Sequence, residues 1–167
     1  MKLTVGDIVV VPVMGVGTVR STEAMDVGDG PIPGYRIELG PEDGFFWIPE
    51  TQVGSQGLRP PIAQKDLGRL WEALQSQEAP DVRANWNRRR IRYTEMLSSN
   101  EPLQLAALVG ELAAVQAQKR DKNQALSFGE RQLLDQAQGL LVAEVAACTS
   151  REPDEVQREL EQRLAEG

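Results

Sequence analysis

Two periodicities divide this chain. Up to about residue 60, apolar positions come in short blocks and alternations punctuated by glycine and proline; beyond it they recur with helical spacing. The stretch from Val5 to Val13 holds the β-branched run Ile8-Val9-Val10-Val11, ended by Pro12. Gly15-Val16-Gly17-Thr18-Val19-Arg20 begins a second strand. Asp26 to Gly34 is a loop by composition, with Gly28, Gly30, Pro31, Pro33 and Gly34. Tyr35 to Leu39 alternates inward and outward, 40 to 44 is a turn, and Phe45-Phe46-Trp47-Ile48-Pro49 is a fourth strand. Val53 to Leu58 offers a fifth. Short strands with frequent glycine-rich turns predict a small barrel.

Arg59-Pro60-Pro61 marks the boundary. The spacing then predicts about five helices. The first covers about Gln64 to Gln75, with Leu67, Leu70, Trp71 and Leu74 on one face. The second follows Pro80-Asp81 and runs to about Ser98. The third begins at Asn100-Glu101-Pro102, proline falling in the first turn. The fourth starts at Ser127, where Ser127 and Glu130 have the spacing of a capping box. The fifth starts at about Pro153 and carries Val156, Leu160 and Leu164. The predicted fold class is therefore α+β: a small β-barrel over residues 1–60, then a compact all-α domain over 61–167.

Composition narrows the chemistry. Histidine is absent and Cys148 is the single cysteine. No Ser-His-Asp or Cys-His arrangement, ordinary zinc site or imidazole base can be built. Gly15-Val16-Gly17 lacks the further glycine of a nucleotide-binding turn. An enzyme is not expected, nor is a cofactor or metal. No apolar run approaches the roughly 20 residues of a membrane span, and Gly6 and Asp7 interrupt any signal-like segment. The expected setting is a reducing cytoplasm.

Lys plus Arg total 18 against 25 Asp plus Glu, a net charge of -7. Both parts are acidic, yet five arginines crowd into Arg83-Ala84-Asn85-Trp86-Asn87-Arg88-Arg89-Arg90-Ile91-Arg92, which has no acid. Trp86, Arg90, Tyr93 and Leu97 form one helical stripe, and an aromatic on such a stripe is usually core. The arginines would then be solvated or paired with carboxylates, Glu95 and Asp81 being nearest in sequence. Against this, Trp86 has asparagine on both sides and lies near a helix start. Clustered arginines repel one another unless an anion relieves them. Arg88 and Arg92, and Arg89 and Arg92, are spaced to reach one phosphate row. A flat ring beside that row can wedge at a base step in the minor groove.

The aromatic strand also has two readings. If Phe46 and Ile48 point into the barrel, Phe45 and Trp47 point out. They either pack on the helical part or flank an exposed edge that takes a partner's strand.

Together these features resemble the CarD/CdnL family of bacterial RNA polymerase-binding transcription regulators. The resemblance rests on Val5-Gly6-Asp7, Pro12, Gly15-Val16-Gly17, Ile48-Pro49 and the run from Val53 to Arg59. It rests further on Asn85-Trp86-Asn87-Arg88-Arg89 and Leu126-Ser127-Phe128-Gly129-Glu130-Arg131. It implies a Tudor-like, polymerase-interacting β domain over 1–60 and a helical, DNA-contacting domain over 61–167. The partner would be the RNA polymerase β subunit, bound through Phe45, Phe46, Trp47, Ile48 and Pro49. Trp86 would wedge into the minor groove at the upstream edge of the -10 region and slow bubble collapse. Arg88, Arg89 and Arg131 would face DNA, joined by Arg90 and Arg92 from the cluster. Contact with promoter DNA would be weak and not sequence-specific, and the protein a monomer, nucleoid-associated through polymerase. Ile91 stands where the family is usually basic and Arg90 where it is usually tyrosine. The β strand lacks a basic residue often found there. The alternative is a transcription adaptor without DNA contact, Trp86 being core and the arginines meeting an acidic partner.

Overall fold

The computed structural model describes residues 2–40, 43–81 and 85–166. They form two compact units, Met1–Pro61 and Ile62–Gly167. The first is a curled, four-stranded antiparallel half-barrel, a Tudor-like β domain, with strand order β1-β2-β3-β4. The strands are β1 (Ile8–Val11), β2 (Gly15–Asp26), β3 (Pro31–Gly40) and β4 (Gly44–Pro49). Leu3, Val9, Val11, Val19, Tyr35, Ile37, Ile48, Val53 and Leu58 fill the concave side.

Two expectations need correction. Residues 26–34 are not all loop: β2 and β3 run on as a long hairpin, with Ala24 opposite Pro33 and Asp26 opposite Pro31, and only 27–30 form the turn. The prolines are accommodated because β4 pairs with β3 only from Gly34 onward. Pro31 and Pro33 therefore have β2 on one side and no strand on the other, where a missing N–H breaks no ladder. Nor is Val53 to Leu58 a strand. A short 3-10 turn, Glu50–Gln52, leads into further turns that bury Val53 and Leu58. Arg59 then makes a single bridge to Val10, exchanging both backbone hydrogen bonds. That bridge covers part of the β1 edge. Among the described residues, no strand pairs with the outer edge of β4.

The second unit holds α1 (Leu67–Gln75), α2 (Trp86–Ser98), α3 (Pro102–Asp121), α4 (Phe128–Thr149) and α5 (Pro153–Glu166). Among the described residues, no helix is long and apolar enough to cross a membrane. Leu70, Leu74, Tyr93, Leu108, Leu112, Leu141, Val145, Val156 and Leu160 are buried in one core. α3 starts at proline, which lacks an N–H that the first turn could not pair anyway. Ser127 caps α4 in a complete box: its hydroxyl accepts from the Glu130 N–H, and the Glu130 carboxylate accepts from the Ser127 N–H. Ser127→Ala removes half of the box and is expected to cost about 1 kcal/mol. Thermal unfolding of the chain should show a fall of a few degrees.

Candidate nucleic-acid and polymerase interfaces

Trp86 is the first residue of α2, introduced by Asn85, whose side chain accepts from the Asn87 N–H at 2.9 Å. A helix start has few neighbours on its N-terminal side, so the indole is half-buried and not sealed in. One edge packs on the helical core. Its ring centroid lies 6.4 Å from that of buried Tyr93, with the planes tilted by 58°. The six-membered ring passes over the first turn of α4: a Cβ placed on Gly129 would come within 2.9 Å of Trp86 Cζ2. The starts of α2 and α4 are thus side by side at the ring, and each helix start carries partial positive charge. Beside Gly129, Phe128 is 83% exposed.

The arginines divide into two groups. Arg88 and Arg90 are exposed and form no ion pair among the described residues. Arg131 is exposed in the first turn of α4, 3.9 Å from Asp135. Arg92 is half-exposed and reaches Glu111 of α3 at 2.6 Å. Arg89 departs from the expected DNA-facing placement. Its side chain is buried, and Nη1 donates to Glu130 of α4 at 3.2 Å. Its guanidinium carbon stands 5.0 Å over the Trp86 ring centroid. Burial alone would lower its pKa, but the bonds to Tyr93 and Glu130 outweigh this and hold it above the ordinary value. Arg83 lies outside the described residues.

Repulsion within the cluster is therefore relieved partly from inside the bundle. The partner of Arg89 is Glu130 and that of Arg92 is Glu111, both distant in sequence. Glu130 is 1% exposed and gathers three elements: Arg89 from α2, Lys119 from α3 at 2.5 Å, and the Ser127 N–H at 2.9 Å. Burial pushes its carboxyl up. Lys119, Ser127 and Arg89 more than reverse that push, and the group is lowered to about 2.

In the β unit, Phe45 and Trp47 do lie on the outer face, while Ile48 is buried and Phe46 packs partly on the core. Phe45 is 59% exposed, and the Arg36 guanidinium of β3 stacks 3.4 Å from its centroid. Arg36 supplies a cation on this face, where the aromatic strand itself has none. Trp47 lies across Gly34, where a Cβ would come within 2.4 Å of the ring. Its indole N–H donates to the Glu23 carbonyl at 2.9 Å. Trp47 therefore fastens the β2–β3 hairpin. Pro49 is half-buried at the strand's end.

Sequence reasoning passed over Phe128, Gly129, Glu130 and Glu111 as site components. Glu111 carried a signal. It interrupts the apolar run Leu108-Val109-Gly110-Glu111-Leu112, and a buried acid on such a face needs a cation.

A family model described as the CarD C-terminal domain matches residues 69–161, more than half of the chain. The chain belongs to the CarD family, a family of non-enzymatic transcription regulators.

Proposed function

We propose that the chain tethers to RNA polymerase through its β unit and stabilises the open promoter complex through Trp86. The observation that carries this is the half-buried indole at the start of α2, with exposed arginines in the first turns of α2 and α4, Arg88 and Arg90 on α2 and Arg131 on α4. The ring keeps one edge in the bundle and presents the other beside cations. An aromatic so placed can enter the minor groove at a base step while arginines hold the phosphates on either side. The energy needed is modest, because a tenfold longer-lived bubble requires about 1.4 kcal/mol. A chain of net charge -7 binds free DNA poorly. Tethering to polymerase raises its effective concentration at the promoter enough for a weak wedge to act.

The open edge of β4, with Phe45 and Arg36 beside it, suits addition of a strand from the polymerase β subunit. Phe45→Glu is expected to abolish retention of the chain on immobilised β subunit while leaving the helical unit's unfolding unchanged. Retention at the wild-type level would exclude this edge. For the function as a whole, open complexes challenged with a competitor should dissociate several-fold more slowly when the chain is present. Equal lifetimes with and without it would refute the proposal.

The internal pairing of Arg89 and Arg92 favours a second reading, an adaptor that touches an acidic protein and no DNA. Two guanidiniums are then partly neutralised and the positive surface is smaller. Promoter DNA that leaves Trp86 accessible to acrylamide in the polymerase complex would select the adaptor.

A further inference from the structure

A half-exposed tryptophan at a helix start would ordinarily sample several orientations. Here three groups constrain it. The Arg89 guanidinium lies over one face at 5.0 Å. Gly129 leaves the space the far edge of the ring crosses. Tyr93 closes the inner side. Arg89 is itself held chiefly at one point. Nη1 donates to Glu130 at 3.2 Å and makes only a long contact of 3.5 Å with the Tyr93 hydroxyl, while Nε is buried without a partner among the described residues. The Glu130 carboxylate is in turn fixed by Lys119 and by the Ser127 N–H. A chain of contacts thus runs from α3 and the α4 cap through Glu130 and Arg89 to the indole.

Gly129 adds an independent indication. It lies in the first turn of α4 with φ outside the left-handed range, so its backbone does not require glycine. Glycine within a helix is less favourable than alanine by up to about 1 kcal/mol. What alanine would lack is room, because its methyl would intrude on Trp86.

We infer that Glu130 and Gly129 are positioning residues for Trp86: one anchors the guanidinium that backs the ring, and the other clears the path the ring occupies. The indole is then ordered before it meets a ligand, so that little side-chain entropy is lost on insertion. The functional consequence rests on the wedge proposed above; the placement of the ring does not.

The test uses the full chain with Trp47→Phe and Trp71→Phe, so that Trp86 alone emits. Into it are introduced Glu130→Gln, which keeps shape and removes charge, and separately Gly129→Ala, which keeps every ion pair and fills the gap. In both, helix content by circular dichroism should be retained, Trp86 emission anisotropy should fall and acrylamide quenching should rise. In chains that keep Trp47 and Trp71, the same two substitutions should each shorten the open-complex lifetime about threefold, the size expected when an ordered side chain is set free. Gly129→Ala should do this with no fall in melting temperature, an effect that a merely structural glycine would not give. Should Glu130→Gln unfold the bundle, Arg89→Lys replaces it: a lysine can still reach the carboxylate but has no planar face for the ring, so anisotropy should fall. Anisotropy and quenching unmoved in Gly129→Ala would overturn the inference, as would a moved signal with an unchanged lifetime where Trp86→Ala does shorten it. If Trp86→Ala itself leaves the lifetime intact, the wedge is wrong, and the anisotropy results alone decide whether these residues position the ring.

Discussion

Trp86→Ala should shorten the lifetime of the polymerase–promoter open complex about tenfold relative to the wild-type chain, a difference of about 1.4 kcal/mol. Binding to the β subunit should be unchanged, because the ring and the β4 edge belong to separate compact units. The indole is half-buried, so its removal also leaves a partial cavity against the core. Full burial would make the loss about 3–5 kcal/mol, and half-burial brings it to roughly 2 kcal/mol. Trp86→Phe separates the two effects. It keeps an apolar body over Gly129 and should recover most of the stability but only part of the lifetime, since the smaller ring offers less surface for stacking. Dissociation rates for the three proteins, measured at saturating occupancy of polymerase, decide the matter.

Glu130→Ala should cost the helical unit as much stability as truncating a large core side chain. The carboxylate is 1% exposed and pairs with Arg89 and Lys119. Removing it leaves one buried cation and one half-buried cation without an acid, an arrangement that costs about 3 kcal/mol or more. The melting temperature should fall by roughly 10 °C or more. Glu130→Gln gives the pH dependence. The folded carboxyl titrates near 2, and an unfolded glutamate near 4.5. As pH falls, the unfolded chain takes up this proton first, so acid favours unfolding. The contribution of the charge is complete above about pH 4.5 and disappears as pH approaches 2. The stability gap between wild type and Glu130→Gln should be on the order of 2–3 kcal/mol at neutral pH and close over that window. Urea titrations at a series of pH values measure it, and a gap that stays constant would show that the charge of Glu130 is not what stabilises the bundle.

Local signals in the sequence were strong where local chemistry decides the outcome. The Ser127–Glu130 box, proline at the start of α3 and the apolar stripe of α1 placed three helices closely. Proline and glycine make all of 26–34 look like a loop, whereas only 27–30 turn and the rest extends β2 and β3. What admits Pro31 and Pro33 is the absence of a neighbouring strand, which depends on where β4 stops and is invisible locally. Val53 to Leu58 was misread for the opposite reason: its apolar residues are core, but turns bury them as well as a strand would. At the site, the density of arginine and the lone tryptophan were legible. Their division into outward and inward groups was not. Arg89 pairs with a residue 41 positions away and Arg92 with one 19 away. Only the packing of α2 on α3 and α4 selects those partners. Gly129 could be quoted as part of a string, but that it makes room for Trp86 emerges only when the two helix starts meet.

The most direct test places 5-hydroxytryptophan at position 86 alone, keeps Trp47 and Trp71, and excites the probe beyond the absorption of ordinary tryptophans in the chain and in polymerase. Polymerase alone should leave the emission close to that of the free chain. Addition of promoter DNA and formation of the open complex should quench it and shield it from acrylamide, as a ring stacked on a base requires. Emission and accessibility unaltered by promoter DNA, with the chain bound to polymerase, would contradict the wedge.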